Sequence, residues 1–218
     1  LASMGGMFVQ NRLKSKFKKY SQVPISSGLS GRDIAEAMLQ HYGVNGVKIT
    51  EGKGRLTDHY NPRTKTVSLS PDIYNGRTVM AAAVAAHECG HAVQHDTNYA
   101  MLQMRSGLVP LVQFAAPLQQ YLFMGALFIA GNGLGDTILL LAIAAFAVTA
   151  LFAFVTLPVE FDASRRALAW LNETGTTRGA EYEGSKDALW WAAMTYVAAA
   201  LSSLVALVYL LLRYTSSD

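Results

Sequence analysis

The stretch that decides the fold is Thr78-Val79-Met80-Ala81-Ala82-Ala83-Val84-Ala85-Ala86-His87-Glu88-Cys89-Gly90-His91-Ala92-Val93-Gln94-His95-Asp96. Residues 79–86 carry no polar side chain, so a helix buried nearly all round is expected here. Within it, His87 and His91 stand four residues apart, about 6 Å along a helix and on one face. That spacing lets two imidazoles converge on one metal ion, while Glu88 stands where an acid reaches a water on that metal. The alternative is an ordinary helix with three polar residues. Burying such groups unpaired costs several kcal/mol, and a divalent cation, Zn2+ by this spacing, satisfies all three together. Cys89, about 200° round from His87, is expected to be a buried apolar filler. His95 lies about 12 Å from His87, too far to share the ion, and is expected to face solvent.

The totals of the 218-residue chain, 51% hydrophobic, 15% charged and a formal charge of +3, look almost soluble. The distribution does not: residues 106–135, 137–159 and 188–212 contain no charged residue. Uncharged apolar stretches of about 20 residues cross a hydrocarbon core about 30 Å thick. Three transmembrane helices are therefore expected, at 108–130, 138–157 and 188–212. The first holds Gln113, Gln119, Gln120, Pro110 and Pro117, which predicts a kink or a polar face turned inward. The spans lack ionisable residues, which argues against a channel or transporter. A single cysteine excludes an intrachain disulfide.

Residues 1–6, LASMGG, resemble an expression remnant and are set aside from the fold. Arg12, Lys14, Lys16, Lys18 and Lys19, interleaved with Phe8, Leu13, Phe17 and Tyr20, fit a juxtamembrane segment against the lipid bilayer better than a nucleic-acid site. Residues 1–20 form that segment. Residues 21–106 are expected to be a zincin-like α+β domain. It holds a helix N-capped by Ser30 with Asp33 in its first turn and ending near Tyr42, strands at 46–50, 55–59 and 64–69, and the motif helix. An edge strand of such a sheet can pair with an extended peptide. A transmembrane hairpin at 107–157 follows. Residues 158–187 comprise a helix opened by Pro158 and a mobile loop at 172–184, and residues 188–218 form the last span and tail.

Glu160 is the candidate third metal ligand, because a catalytic zinc usually keeps three protein ligands and one open position. Two crossings separate it from His91, and an even number returns the chain to its starting side. Residues 1–105 contain thirteen lysines and arginines and 158–187 contain four, whereas 131–137 contain none. The positive-inside pattern then puts the domain at the cytoplasmic face and that loop opposite. Asp136 falls on the far side, and Glu173, Glu181 and Glu183 fall in the loop.

Leu56-Thr57-Asp58-His59-Tyr60, Ala85-Ala86-His87-Glu88-Cys89-Gly90-His91-Ala92 and Leu157-Pro158-Val159-Glu160-Phe161-Asp162-Ala163-Ser164-Arg165-Arg166 resemble the bacterial YugP-like family of neutral zinc metallopeptidases. The resemblance runs from about Lys16 to the last span. It implies an integral membrane zinc peptidase with His87 and His91 as ligands, Glu88 as catalyst and Glu160 as third ligand. Family members begin with an additional membrane helix, and this chain is expected to start just after it. The more distantly similar HtpX-like and prenyl-protein membrane proteases place an aspartate four residues after their ligand glutamate. Here that place is Ser164, which leaves open whether a carboxylate supports a ligand histidine. Asp162 is on the wrong side of a helix to substitute directly.

The expectation is a mainly α integral membrane protein whose zincin-like domain is joined to three transmembrane helices. Its function would be a gluzincin-type endopeptidase in the bacterial cell membrane, multi-pass, cutting peptide, unfolded or membrane-protein substrates at the cytoplasmic face in membrane-protein quality control. His59, Tyr60 and Arg165 are the candidates to stabilise the oxyanion. Homo-oligomers are compatible with this reading. The competing class is a zinc-stabilised scaffold or chaperone-like subunit that binds unfolded segments without cutting them. Glu88 argues against it, since a structural zinc needs no free carboxylate beside an open position.

Overall fold

Local signals fix where the elements begin in the computed structural model, which describes residues 2–128 and 133–216. Helix α1 covers Ala2–Tyr20 and α2 covers Gly31–His41. Ser30 and Asp33 form a capping box: Ser30 Oγ accepts from the Asp33 N–H at 3.2 Å, and Asp33 Oδ2 accepts from the Ser30 N–H at 2.9 Å. The Ser30 hydroxyl and backbone N–H hold the Asp33 carboxyl below its ordinary range. Strands β1 (Lys48–Glu51), β2 (His59–Asn61) and β3 (Thr66–Leu69) and the short helix α3 (Pro71–Tyr74) lead to α4, Val79–Asp96, whose N-cap Thr78 accepts from the Ala81 N–H at 3.3 Å.

The sheet has the order β1-β3-β2, with β1 parallel and β2 antiparallel to β3. Val67 lies opposite Ile49 on one side and Tyr60 on the other. Alternation along β3 buries Val67 and Leu69 in the core shared with α2 and α4, while β2 remains an edge strand. The second strand shares only His59 with the expected 55–59 and runs on to Asn61, because Leu56 adopts φ 58°, a left-handed conformation that breaks an extended run.

At the centre lies α4, packed by α2, α3, the sheet and the long helices. Its alanines allow close approach, and Gly90 allows the closest: a Cβ there would stand 2.6 Å from the Ala163 carbonyl oxygen. The partner stripe Val159, Ala163 and Ala167 is fully buried and spaced by four. This crossing belongs to α6, Gly133–Glu173, which follows α5, Ala100–Phe128, and precedes α7, Ala180–Thr215.

Among the described residues two helices, α6 and α7, are long and apolar enough to cross a membrane. Only 28% and 11% of their most apolar windows are buried, far less than the core helix of a soluble protein would be. The described part of the expected first span, residues 108–128, lies in α5, which is not one of these two; its glutamines and prolines dilute the apolar run. Pro158 lies inside α6 instead of opening a new helix; its ring removes one backbone bond within a segment packed firmly on α4. The expected mobile loop contracts to residues 174–179, and Ser26 ties the next turn down by donating to Glu181 from its N–H at 2.8 Å and its hydroxyl at 3.1 Å. Residues 2–6, set aside by the sequence reading, continue α1. That helix docks on α7 through Asp187, which accepts from Tyr20 Oη at 2.7 Å and meets Lys16 Nζ at 2.7 Å. Burial and the Asp187 carboxylate push the Tyr20 phenol up to about 12. Residue 1, the end of the expected first span at 129–130, residues 131–132 of the expected outer loop and the tail at 217–218 lie outside the described residues; residues 133–137 are already helical.

Candidate metal centre

The two histidines of α4 project from one face, with ring centroids 4.8 Å apart and planes at 81°. Because α6 crosses at Gly90, Glu160 arrives opposite them. Its Oε2 lies 3.4 Å from His87 Nε2 and 3.8 Å from His91 Nε2. Donors about 2.1 Å from a tetrahedral zinc are about 3.4 Å from one another, so these separations suit a single ion. Candidate donor atoms of His87, His91 and Glu160 all lie within 4.8 Å of one another, and no other such cluster occurs among the described residues.

Each imidazole is held from behind. Gln94, fully buried one turn after His91, places its Oε1 3.0 Å from His91 Nδ1. A carboxamide oxygen only accepts, so Nδ1 carries the proton and Nε2 presents its lone pair toward Glu160. The same amide donates to the Val159 carbonyl at 2.8 Å and to Asp162 Oδ2 at 3.0 Å. Asp162 is itself clamped by Arg165 and Arg166. On the other histidine, Ser164 Oγ lies 3.2 Å from His87 Nδ1. The two rings are thus backed by a serine on one side and a glutamine–aspartate pair on the other. Burial alone would disfavour charge on His91, but Glu160 and Glu88 outweigh it and raise its pKa from the ordinary value. The pocket therefore favours positive charge, as a cation site should.

A cleft of about 250 Å³ opens over this centre. Glu88, buried on α4, lines it beside the two histidines; His59 and Tyr60 come from β2, Arg105 from α5 and Tyr196 from α7. Arg105 Nη1 stands 3.5 Å from Glu160 Oε1. The expected positions of several other residues change. Arg165 is absent from this cleft: its side chain is 78% exposed and paired with Asp162, because five residues past Glu160 it leaves the α4-facing stripe. His95 is half-buried instead of solvent-facing, its Nδ1 2.8 Å from Tyr60 Oη. His59 is exposed at the rim, with Nδ1 2.8 Å from the Thr57 carbonyl oxygen. Cys89 is fully buried against α2, and burial pushes its thiol up, leaving it inert.

Gln94, Ser164, Arg105 and Tyr196 were not named as site residues from sequence. Gln94 left a signal, since three residues past His91 is the same helix face. Arg105 left a weaker one, as the last charge before a long uncharged segment. Tyr196 left none that distinguishes it from other tyrosines of α7.

Two imidazoles and a carboxylate converging in a cleft, with a further acid alongside, form a cluster able to hold a metal ion on a mostly helical scaffold. The chain belongs to the family described as "Putative neutral zinc metallopeptidase", which matches residues 1–215. It is similar to the "Putative membrane protease YugP" of Bacillus subtilis (strain 168), with 41% identity over 206 residues, covering 94% of this chain and 89% of that protein. No solved structure matches the chain.

Proposed function

We propose that this protein is a membrane-anchored zinc endopeptidase of the gluzincin type, with His87, His91 and Glu160 holding the ion and Glu88 as the general base. The observation that carries this reading is the convergence of both Nε2 atoms on Glu160 Oε2 inside a cleft that Glu88 also lines. Zinc, when bound, supplies Lewis acidity that brings the pKa of water to about 7 and polarises a carbonyl. Glu88 accepts the proton of the attacking water and returns it to the leaving amine, so that the C–N bond breaks as the carboxyl forms. Arg105, with Tyr196 and the rim His59, faces the position where the carbonyl oxygen gains charge. The free edge of β2 offers an extended substrate backbone a partner strand.

The bilayer is part of this reading. At about 1.5 Å per residue the 41-residue α6 is about 60 Å long, enough to cross a core of about 30 Å and still reach α4. Since α6 returns to the helix from which α5 departs, α5 makes the outward crossing, with Gln119 turned to Thr149 of α6. The lysines and arginines of α1, α2 and the sheet support a cytoplasmic domain and a multi-pass protein of the cell membrane, where unfolded or membrane-protein segments are the substrates. The test is purified, zinc-loaded protein in detergent with casein. Glu88→Gln should retain zinc and lose hydrolysis by roughly 100-fold to 10,000-fold. Equal cleavage by both proteins would overturn the assignment.

A further inference from the structure

We propose that the carboxamide-lined groove beside the metal cleft seats the substrate polypeptide on one side of the bond to be cut, and that it selects against lysine and arginine there. The proposal rests on the peptidase reading above. The groove has a volume of about 680 Å³ and adjoins the cleft, with Pro62, Leu102, Ser106 and Val109 lining both. A chain whose carbonyl sits over His87 and His91 meets this groove next along α5.

The length and chemistry of that path fit an extended peptide. Gln103, Ser106, Val109 and Gln113 follow one face of α5, and ten residues of helix span about 15 Å. That is room for four or five extended residues. Asn61, Asn98, Gln103 and Gln113 line it with groups that both donate and accept. Their internal bonds use only part of this capacity: Gln103 Nε2 donates to Asn98 Oδ1 at 3.2 Å, and Asn61 Oδ1 accepts from the Arg63 and Thr64 N–H groups. A peptide backbone alternates the same two functions, whatever its side chains. A lipid tail would strip water from these amides and return nothing. Gln113 adds an independent indication, since it lies in a segment without charge and faces the groove, while its neighbour Phe114 is 78% exposed outward. A polar group at such a position marks a path for polar cargo.

Selectivity follows from charge. No carboxylate lines the groove, and Arg63 is its one fixed charge. His95, the other basic side chain, is engaged by Tyr60. A lysine or arginine in the bound segment would meet Arg63 without a counter-charge, whereas an acidic side chain would be attracted.

The experiment has two arms. In the first, p-benzoylphenylalanine replaces Gln103 or Gln113 in the Glu88→Gln protein, which is zinc-loaded, illuminated with casein in detergent and read for a covalent adduct; Phe114 serves as the outward control. Adducts at 103 and 113, with little at 114, are expected. In the second, wild type and Arg63→Glu cut a peptide pair that differs only by glutamate or lysine three residues from the scissile bond, placed in turn on each side. On one side wild type should favour glutamate, and Arg63→Glu should shift the ratio about fivefold toward lysine, the scale of an exposed charge pair made and then reversed. Adducts without any cleavage by wild type would remove the peptidase reading and leave the groove as a polypeptide site. Cleavage without groove adducts, or with a ratio that Arg63→Glu does not move, would overturn the groove. Neither adducts nor cleavage would remove both.

Discussion

The two halves of α6 face different surroundings. Val159, Ala163, Ala167, Trp170 and Leu171 are at most 2% exposed against α4 and its neighbours, whereas Leu140, Leu141, Leu151 and Phe154 are 40–53% exposed on the apolar half. The lower half is packed by protein, with backbone meeting backbone at Gly90. The upper half joins a small cluster of Leu139, Ala142 and Leu210 and leaves an apolar stripe exposed beside it. Glu160 sits where one regime gives way to the other. A helix can thus carry a side chain to a site with little tolerance at one end while remaining adaptable at the other, because close packing transmits small displacements and an exposed apolar surface does not.

The largest effect should come from the ligand at the boundary. Zinc affinity, read by chelator competition, should fall on the order of a hundredfold or more in Glu160→Ala, since apparent zinc binding of about 10 kcal/mol or more is shared among few ligands. Leu151→Ala on the same helix should leave it unchanged; comparable losses in the two variants would erase the distinction between the halves. Next comes a pair of glycines. Gly90→Ala should destabilise the protein by about 1–3 kcal/mol, because the new methyl meets the Ala163 carbonyl oxygen. Gly107→Ala, with open space around it, should stabilise α5 by roughly 0.5–1 kcal/mol. Thermal unfolding in detergent would show shifts of opposite sign, and shifts of the same sign would mean that the crossing is looser than its geometry.

Gln94→Leu should weaken zinc binding about 10-fold to 100-fold, by freeing the His91 ring from its tautomer and orientation, while Gln94→Glu should recover part of the loss. If zinc affinity is unmoved and only thermal stability falls, Gln94 braces α4 against α6 and does nothing for the ligand. The smallest expected effect lies farthest from the boundary. Tyr20→Phe removes one bond to Asp187 while Lys16 keeps its own, so stability should drop by about 1 kcal/mol with no change at the metal site. A zinc-affinity change in that variant would show that α1 reaches the centre through α7.

What sequence determined about this protein is what one helix or one cap imposes on itself. His87, Glu88 and His91 share a face because 3.6 residues make a turn, Ser30 and Asp33 start α2 because the first N–H groups need acceptors, and uncharged runs mark α6 and α7 because apolar side chains avoid water. Glu160 was named from sequence by an expected crossing parity and ligand count, and the structure places it beside both histidines. Tertiary structure decided which groups meet across the chain. Arg105 and not Arg165 enters the cleft, Ser164 and Gln94 share the support of the histidines, Tyr60 engages His95, and the segment after α6 is held down by Ser26. None of these follows from spacing, because each depends on where α6 crosses α4. That crossing is set by a backbone contact between Gly90 and Ala163, 73 residues apart in the chain. Periodicity can say which face a residue takes on its own helix, but only the packed assembly says what that face meets.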